Sequence, residues 1–111
     1  MGHCCKDQVL VYHIGDTLSW TGKFHGVGYN VSDSDNVTFT CEFLVRRPSD
    51  GKVVSRVNAH VTPDSNGRNI VYFTASSKDL TPGVLFIKVF VDVTGDEYRQ
   101  YVESQIGIIV E

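Results

Sequence analysis

Several signals that would assign a chain to a membrane, to nucleic acid or to a disulfide scaffold are lacking here. No apolar run in the 111 residues approaches the roughly 20 of a transmembrane helix. Arginine is sparse and scattered, at Arg46, Arg47, Arg56, Arg68 and Arg99, and the formal net charge is -3, so no basic field exists to neutralise a row of phosphates. Neither membrane nor nucleic acid is expected as a partner. Cysteine is limited to three, and bridging the adjacent Cys4 and Cys5 would strain the backbone, so three reduced thiols are expected, with Cys41 a small buried hydrophobe. The opening MGHCCKDQVLVYHIGD lacks the charged, apolar and small-residue regions of a secretory signal, and the chain is expected to be made and to remain inside a cell. Helical periodicity of 3.6 residues with capping signals is also missing.

What the chain does carry is alternation with a period of two. In TLSWTGKFH, Leu18, Trp20 and Phe24 share one face, and Thr17, Ser19, Thr21, Lys23 and His25 the other. VTFTCEFLV repeats the pattern, with Val37, Phe39, Cys41, Phe43 and Val45 on one side. RPSDGK has the composition of a hairpin loop, after which Val53 to Val61 resumes the alternation as one strand until TPDSNGRN turns the chain. Ile70 to Ser76 is a short strand, SKDLTPG a longer connection, and VLFIKVFVDV a run apolar enough for a central strand covered on both faces. After TGDE, Tyr98 to Val110 sets Val102, Ile106, Ile108 and Val110 in phase, with Gly107 marking a bulge. An early strand over Gln8 to Ile14 completes about seven, following a flexible arm over residues 1–7. The expected fold is an all-β, two-sheet antiparallel sandwich of Ig-like Greek-key type over residues 8–111, with a small barrel as the alternative. Trp20, Phe39, Phe43, Phe73, Ile87, Val89 and Val91 are its expected interior, worth about 1.5–3 kcal/mol each when fully buried.

His3, Cys4, Cys5 and His13 are the residue types of a zinc set, but no Cys-x-x-Cys occurs and adjacent cysteines rarely share one tetrahedral centre. Met1-Gly2-His3 would suit square-planar copper or nickel only if Met1 were retained. Gly2 with Cys4 and Cys5 suggests dual acylation, yet Lys6 stands where Ser or Thr is wanted. HGVG at His25–Gly28 has no Gly-x-Ser-x-Gly elbow to accompany it, and GDTLSWTGKF has the wrong glycine spacing for a phosphate loop. Asp92, Asp96 and Glu97 flank a Thr-Gly turn as solvated loop acids do. No catalytic, cofactor or metal residue is expected.

The stretch GYNVSDSDNVTF, Gly28 to Phe39, combines the triplets Asn30-Val31-Ser32 and Asn36-Val37-Thr38 with Asp33 and Asp35. Glycosylation needs a secretory route, and a calcium loop needs a bidentate glutamate that is missing here, so the stretch reads as an exposed connection. Asp33 and Asp35 on that connection, with Tyr98, Arg99 and Tyr101 near the TGDE turn, are the expected protein-contact residues, because Tyr and Arg are enriched where binding energy concentrates.

Laid out in order, GDTLSWTGKF, YNVSDSDNVTFTCEFLVRRPSDGKVV, DSNGRNIVYFTASSKDLTPGVLFIKVFVDVTGDEYRQ and the terminal IGIIV strand form a pattern over Gly15 to Val110. It resembles the Ig-like β-sandwich modules of tailed-bacteriophage virion proteins, such as the N-terminal domain of baseplate upper proteins. The resemblance implies a non-enzymatic structural protein of the particle, in capsid decoration, neck, tail or baseplate, made in the host cytoplasm and bound to other virion proteins in several symmetric copies. It carries over no catalytic residue. No downstream trimerisation or receptor-binding part follows in this sequence, so the module is expected to attach as it is, through strand edges and loops, and its arm could dock by adding a strand to a neighbour. A carbohydrate- or surface-binding module is the alternative, and it requires Trp20, Tyr29 and Tyr98 to be exposed.

Overall fold

Alternating β-branched and aromatic residues build eight strands: β1 (Val11–His13), β2 (Thr17–Lys23), β3 (Val37–Arg46), β4 (Val53–Asn58), β5 (His60–Pro63), β6 (Ile70–Ser76), β7 (Gly83–Val93) and β8 (Arg99–Val110). The computed structural model describes residues 10–24, 37–64, 69–93 and 99–111, with Arg99 and Gln100 described in backbone only. One sheet has the order β1-β8-β7-β3-β4 and the other β2-β6-β5. All pairings are antiparallel except β1 on β8. The fold is therefore all-β in two sheets, and no helix among the described residues is long and apolar enough to cross a membrane.

Each sheet turns its apolar face to a shared core. Leu18 and Phe24 from the β2 segment, Val71 and Phe73 from β6, Cys41, Phe43 and Val45 from β3, and Leu85, Ile87, Val89 and Val91 from β7 are buried together, with Leu80 on the β6–β7 connection. Of the expected interior, Phe43, Phe73, Ile87, Val89 and Val91 are fully enclosed, while Trp20 and Phe39 are partly buried against the same cluster. Phe24, Phe39, Phe73 and Trp20 form a chain of tilted and edge-on rings with centroids 5.2–6.4 Å apart, the spacing that suits the ring quadrupoles. Gly22 is required between Trp20 and Phe24, since a Cβ there would lie 2.7 Å from one ring and 2.8 Å from the other.

Three expectations need correction. The stretch expected as one strand, Val53 to Val61, is divided between the sheets: β4 pairs with β3, and β5 pairs with β6. Ala59 marks the step, its N–H donating to the Cys41 carbonyl at 2.9 Å. The alternation continues through the step, with Val53, Val57, Ala59 and Val61 all half-buried, so periodicity alone could not locate it. In β8 the ladder skips Ile106, because Leu85 faces Gly107 and Phe86 faces Gln105. One extra residue reverses the side-chain phase. Ile109, rather than Ile108 or Val110, therefore enters the core, opposite Tyr12 of β1. The bulge expected at Gly107 is present beside it, and glycine is needed there, since a Cβ would sit 2.5 Å from the Leu10 carbonyl oxygen. Finally, β7 is the middle strand of its sheet but is covered on one face only, with Phe90 exposed on the other.

Candidate functional site

The uncovered face of the five-stranded sheet holds the described residues best suited to contact. Register across β3, β7 and β8 aligns them in rows: Thr38, Asp92 and Arg99; then Thr40, Phe90 and Tyr101; then Glu42, Lys88 and Glu103; then Leu44, Phe86 and Gln105. Phe90 and Tyr101 are direct cross-strand neighbours and are 37% and 53% exposed, a large aromatic pair turned to solvent.

Around this pair the polar groups hold one another. The Tyr101 hydroxyl donates to Glu103 Oε1 at 2.8 Å, and Arg46 Nη2 donates to Glu103 Oε2 at 2.8 Å, so one carboxylate ties β3 to β8 across β7. The Arg46 guanidinium also lies over the Phe86 ring at 5.3 Å, and the Lys88 ammonium over the Tyr101 ring at 5.8 Å. The hydrogen bonds from Arg46 and Tyr101 hold the Glu103 carboxyl below the usual carboxylate range. Conversely, its bond to Glu103 raises the Tyr101 phenol above the ordinary tyrosine range, because ionisation would remove the donated proton and set two negative charges side by side. On β4, Arg56 approaches Glu42 Oε1 at 3.3 Å without making a directed hydrogen bond. With Arg56 largely exposed, that ion contact contributes at most about 1 kcal/mol. In the neighbouring row Leu44 is buried although it shares this parity, set in register between Phe86 and Arg56.

Of the expected contact residues, Tyr101 is exposed at the centre of this face, and Arg99 occupies the β8 position paired with Asp92. Asp33, Asp35 and Tyr98 lie outside the described residues, as do residues 1–7 and, from the rejected zinc set, His3, Cys4 and Cys5. His13 is exposed, with Nδ1 3.9 Å from an Asp16 carboxylate oxygen. Among the described residues no three His, Cys, Asp or Glu side chains gather as metal ligands. Cys41 is a free, buried thiol, its pKa pushed up to about 12 by desolvation and, secondarily, by the charge of Glu42. Trp20 leans on Phe73 and is partly buried, whereas the sugar-platform alternative required it exposed.

Sequence reasoning passed over Arg46, Phe86, Lys88, Phe90 and Glu103. A signal for the β7 residues was available: within the apolar run, Lys88 and Asp92 fall on one parity with Phe86 and Phe90, which marks that parity as the outer face. Comparison with protein-family models, curated proteins and solved structures finds no significant match.

Proposed function

We propose that this chain is a non-enzymatic structural module of a tailed-phage particle, an Ig-like sandwich that works through protein–protein contacts in several copies. The observation that carries the contact reading is the exposed Phe90–Tyr101 pair, set in side chains already fixed by the Arg46–Glu103–Tyr101 bonds. Rigid aromatic anchors ringed by satisfied polar groups lose little freedom on binding, which suits a permanent assembly contact.

Strand order supports the Ig-like reading. With β2 to β8 taken as strands B, C, C′, D, E, F and G, the two sheets become B-E-D and G-F-C-C′, and the division of β4 from β5 is the step from C′ to D. The phage assignment rests on the likeness of the Gly15–Val110 pattern to virion modules, which is an analogy of fold and pattern. Mass spectrometry of purified particles from a host expressing the chain tests it. The protein is expected in them at a fixed stoichiometry, and its consistent absence sinks the assignment.

A further inference from the structure

The uncovered sheet face is complementary in charge to itself. The row through Thr40, Phe90 and Tyr101 is bordered on one side by Glu42, Lys88 and Glu103, and on the other by Thr38, Asp92 and Arg99. Consider a second copy turned over by a two-fold axis that runs across the strands along the Phe90–Tyr101 row. Strand β7 then lies on β7 and β8 on β8, Phe90 and Tyr101 meet their own counterparts, and the bordering rows exchange. Lys88 faces the second copy's Asp92, and Glu42 faces the neutral Thr38. The ionic match occurs twice by symmetry.

We propose that two copies of this chain pair face to face through the outer surface of the β1-β8-β7-β3-β4 sheet, about a two-fold axis along the Thr40–Phe90–Tyr101 row. The inference deepens the multi-copy reading above by naming the partner and the face. Other two-fold placements are disfavoured by the same residues. An axis along β7 sets Lys88 over Lys88, and an axis across the strands through the Lys88 row opposes Lys88 to Lys88 and Glu103 to Glu103. Like charges in such positions act as a register lock. Geometry is compatible as well: stacked sheets lie about 10 Å apart with strands inclined by about 30°, a gap that a lysine and an aspartate reaching toward each other can span. Strand spacing and rise give the five-stranded face a projected area of roughly 600 Å². Side-chain relief brings it near the roughly 800 Å² that each partner contributes to a standard interface. The described ionic groups Arg46, Arg56 and Lys88 offset Glu42, Asp92 and Glu103, so this face adds no net repulsion between two chains that each carry -3.

Sedimentation of the purified full chain, from about 1 μM to about 1 mM, reads the pairing directly over the range of weak to moderate affinity. Wild type is expected to form dimers. Lys88→Glu and Asp92→Lys should each weaken the association at least about tenfold, since each sets like charges together twice. An equimolar mixture of the two variants should pair again, because every reversed charge then meets its opposite. Tyr72→Lys, at an exposed position on the outer face of the other sheet, should leave pairing unchanged. If Lys88→Glu fails to fold by circular dichroism, Lys88→Gln asks the same question: it removes the charge, keeps the stem, and should weaken the association, and a Lys88→Gln protein that pairs as wild type does overturns the proposal. A wild type that stays monomeric throughout overturns the proposal and leaves the face to an unlike partner. So does a mixture that associates no better than its components, or a Tyr72→Lys variant that dissociates as strongly. A monomeric chain still found in particles rejects the two-fold alone, whereas a dimer absent from particles rejects the virion assignment alone.

Discussion

Ser77 fastens the start of the sandwich, and removing its hydroxyl should be disproportionately costly. The side chain is fully buried on the connection that leaves β6. Its Oγ accepts the Gly15 N–H at 3.0 Å and donates to the Asp16 carbonyl at 2.7 Å, with the His13 carbonyl a weaker second acceptor at 3.2 Å. The Ser77 N–H donates to the same Asp16 carbonyl at 3.0 Å, so the β1–β2 turn is clamped from two directions. Ser77→Ala keeps the backbone bond and removes two hydrogen bonds worth about 1 kcal/mol each, leaving the Gly15 N–H to seek water at a turn that is partly exposed. The sum is a loss of about 2 kcal/mol. In urea the midpoint should fall by roughly 1 M with an unchanged slope, and the thermal midpoint by on the order of 10 °C for a domain of this size. Ser76→Ala is the control: its Oγ accepts only a long 3.3 Å bond from the exposed Lys78 N–H, and the change should stay within about 0.5 kcal/mol. A Ser77→Ala protein as stable as that control would refute the clamp.

Four further outcomes follow from particular contacts. Phe73→Ala removes the ring that touches Trp20, Phe24 and Phe39 and should cost about 3–5 kcal/mol in equilibrium unfolding. Gly107→Ala drives a methyl into the Leu10 carbonyl, so β1 should lose hydrogen-exchange protection at Ile14, whose N–H donates to Val110, before the rest of the fold does. Glu103 has a lowered carboxyl pKa in the folded state, so its contribution is full above the ordinary carboxylate range and is lost as pH falls through the folded value. Glu103→Gln should flatten that acid-side decline and bring the Tyr101 phenol down toward its usual range in an ultraviolet titration. Cys41 should resist alkylation in the native protein and react on unfolding, read by mass spectrometry in a Cys4→Ser, Cys5→Ser background.

Strand existence was legible because half-buried sheets demand alternation, which most of the strands show, while β7 was legible as an unbroken apolar run. Leu18, Phe43, Val45 and Phe73 could be placed inside from that period alone. Two features were hidden for a physical reason. A strand that passes from one sheet to the other keeps its inward residues inward, so Val57, Ala59 and Val61 read identically whether or not the chain steps across at Ala59. An extra residue in β8 reverses phase only relative to its partner β7, and that relation is absent from the β8 segment read by itself. The candidate face was half legible: Tyr101 stood out by residue type, but Phe90 and Lys88 become its neighbours only when β7 pairs with β8.

Three of the four described sheet edges are poor templates for backbone pairing. An exposed strand edge invites backbone pairing with little regard for sequence, and short strands or proline discourage it. Here β1 is three residues long, and β5 is four residues long and ends in Pro63, which has no N–H to offer. The ladder between β3 and β4 shifts register between Val45 and Arg46, which twists the outer strand of that sheet away from a flat approach. Three of the four outer strands are blunted in this way, and the seven-residue β2 keeps an open edge. A contact made by side chains is selective where an edge is not. Backbone pairing would survive reversal of Lys88 and Asp92 in separate chains, whereas a face-to-face pair should fail in each variant alone and return only when the two are mixed.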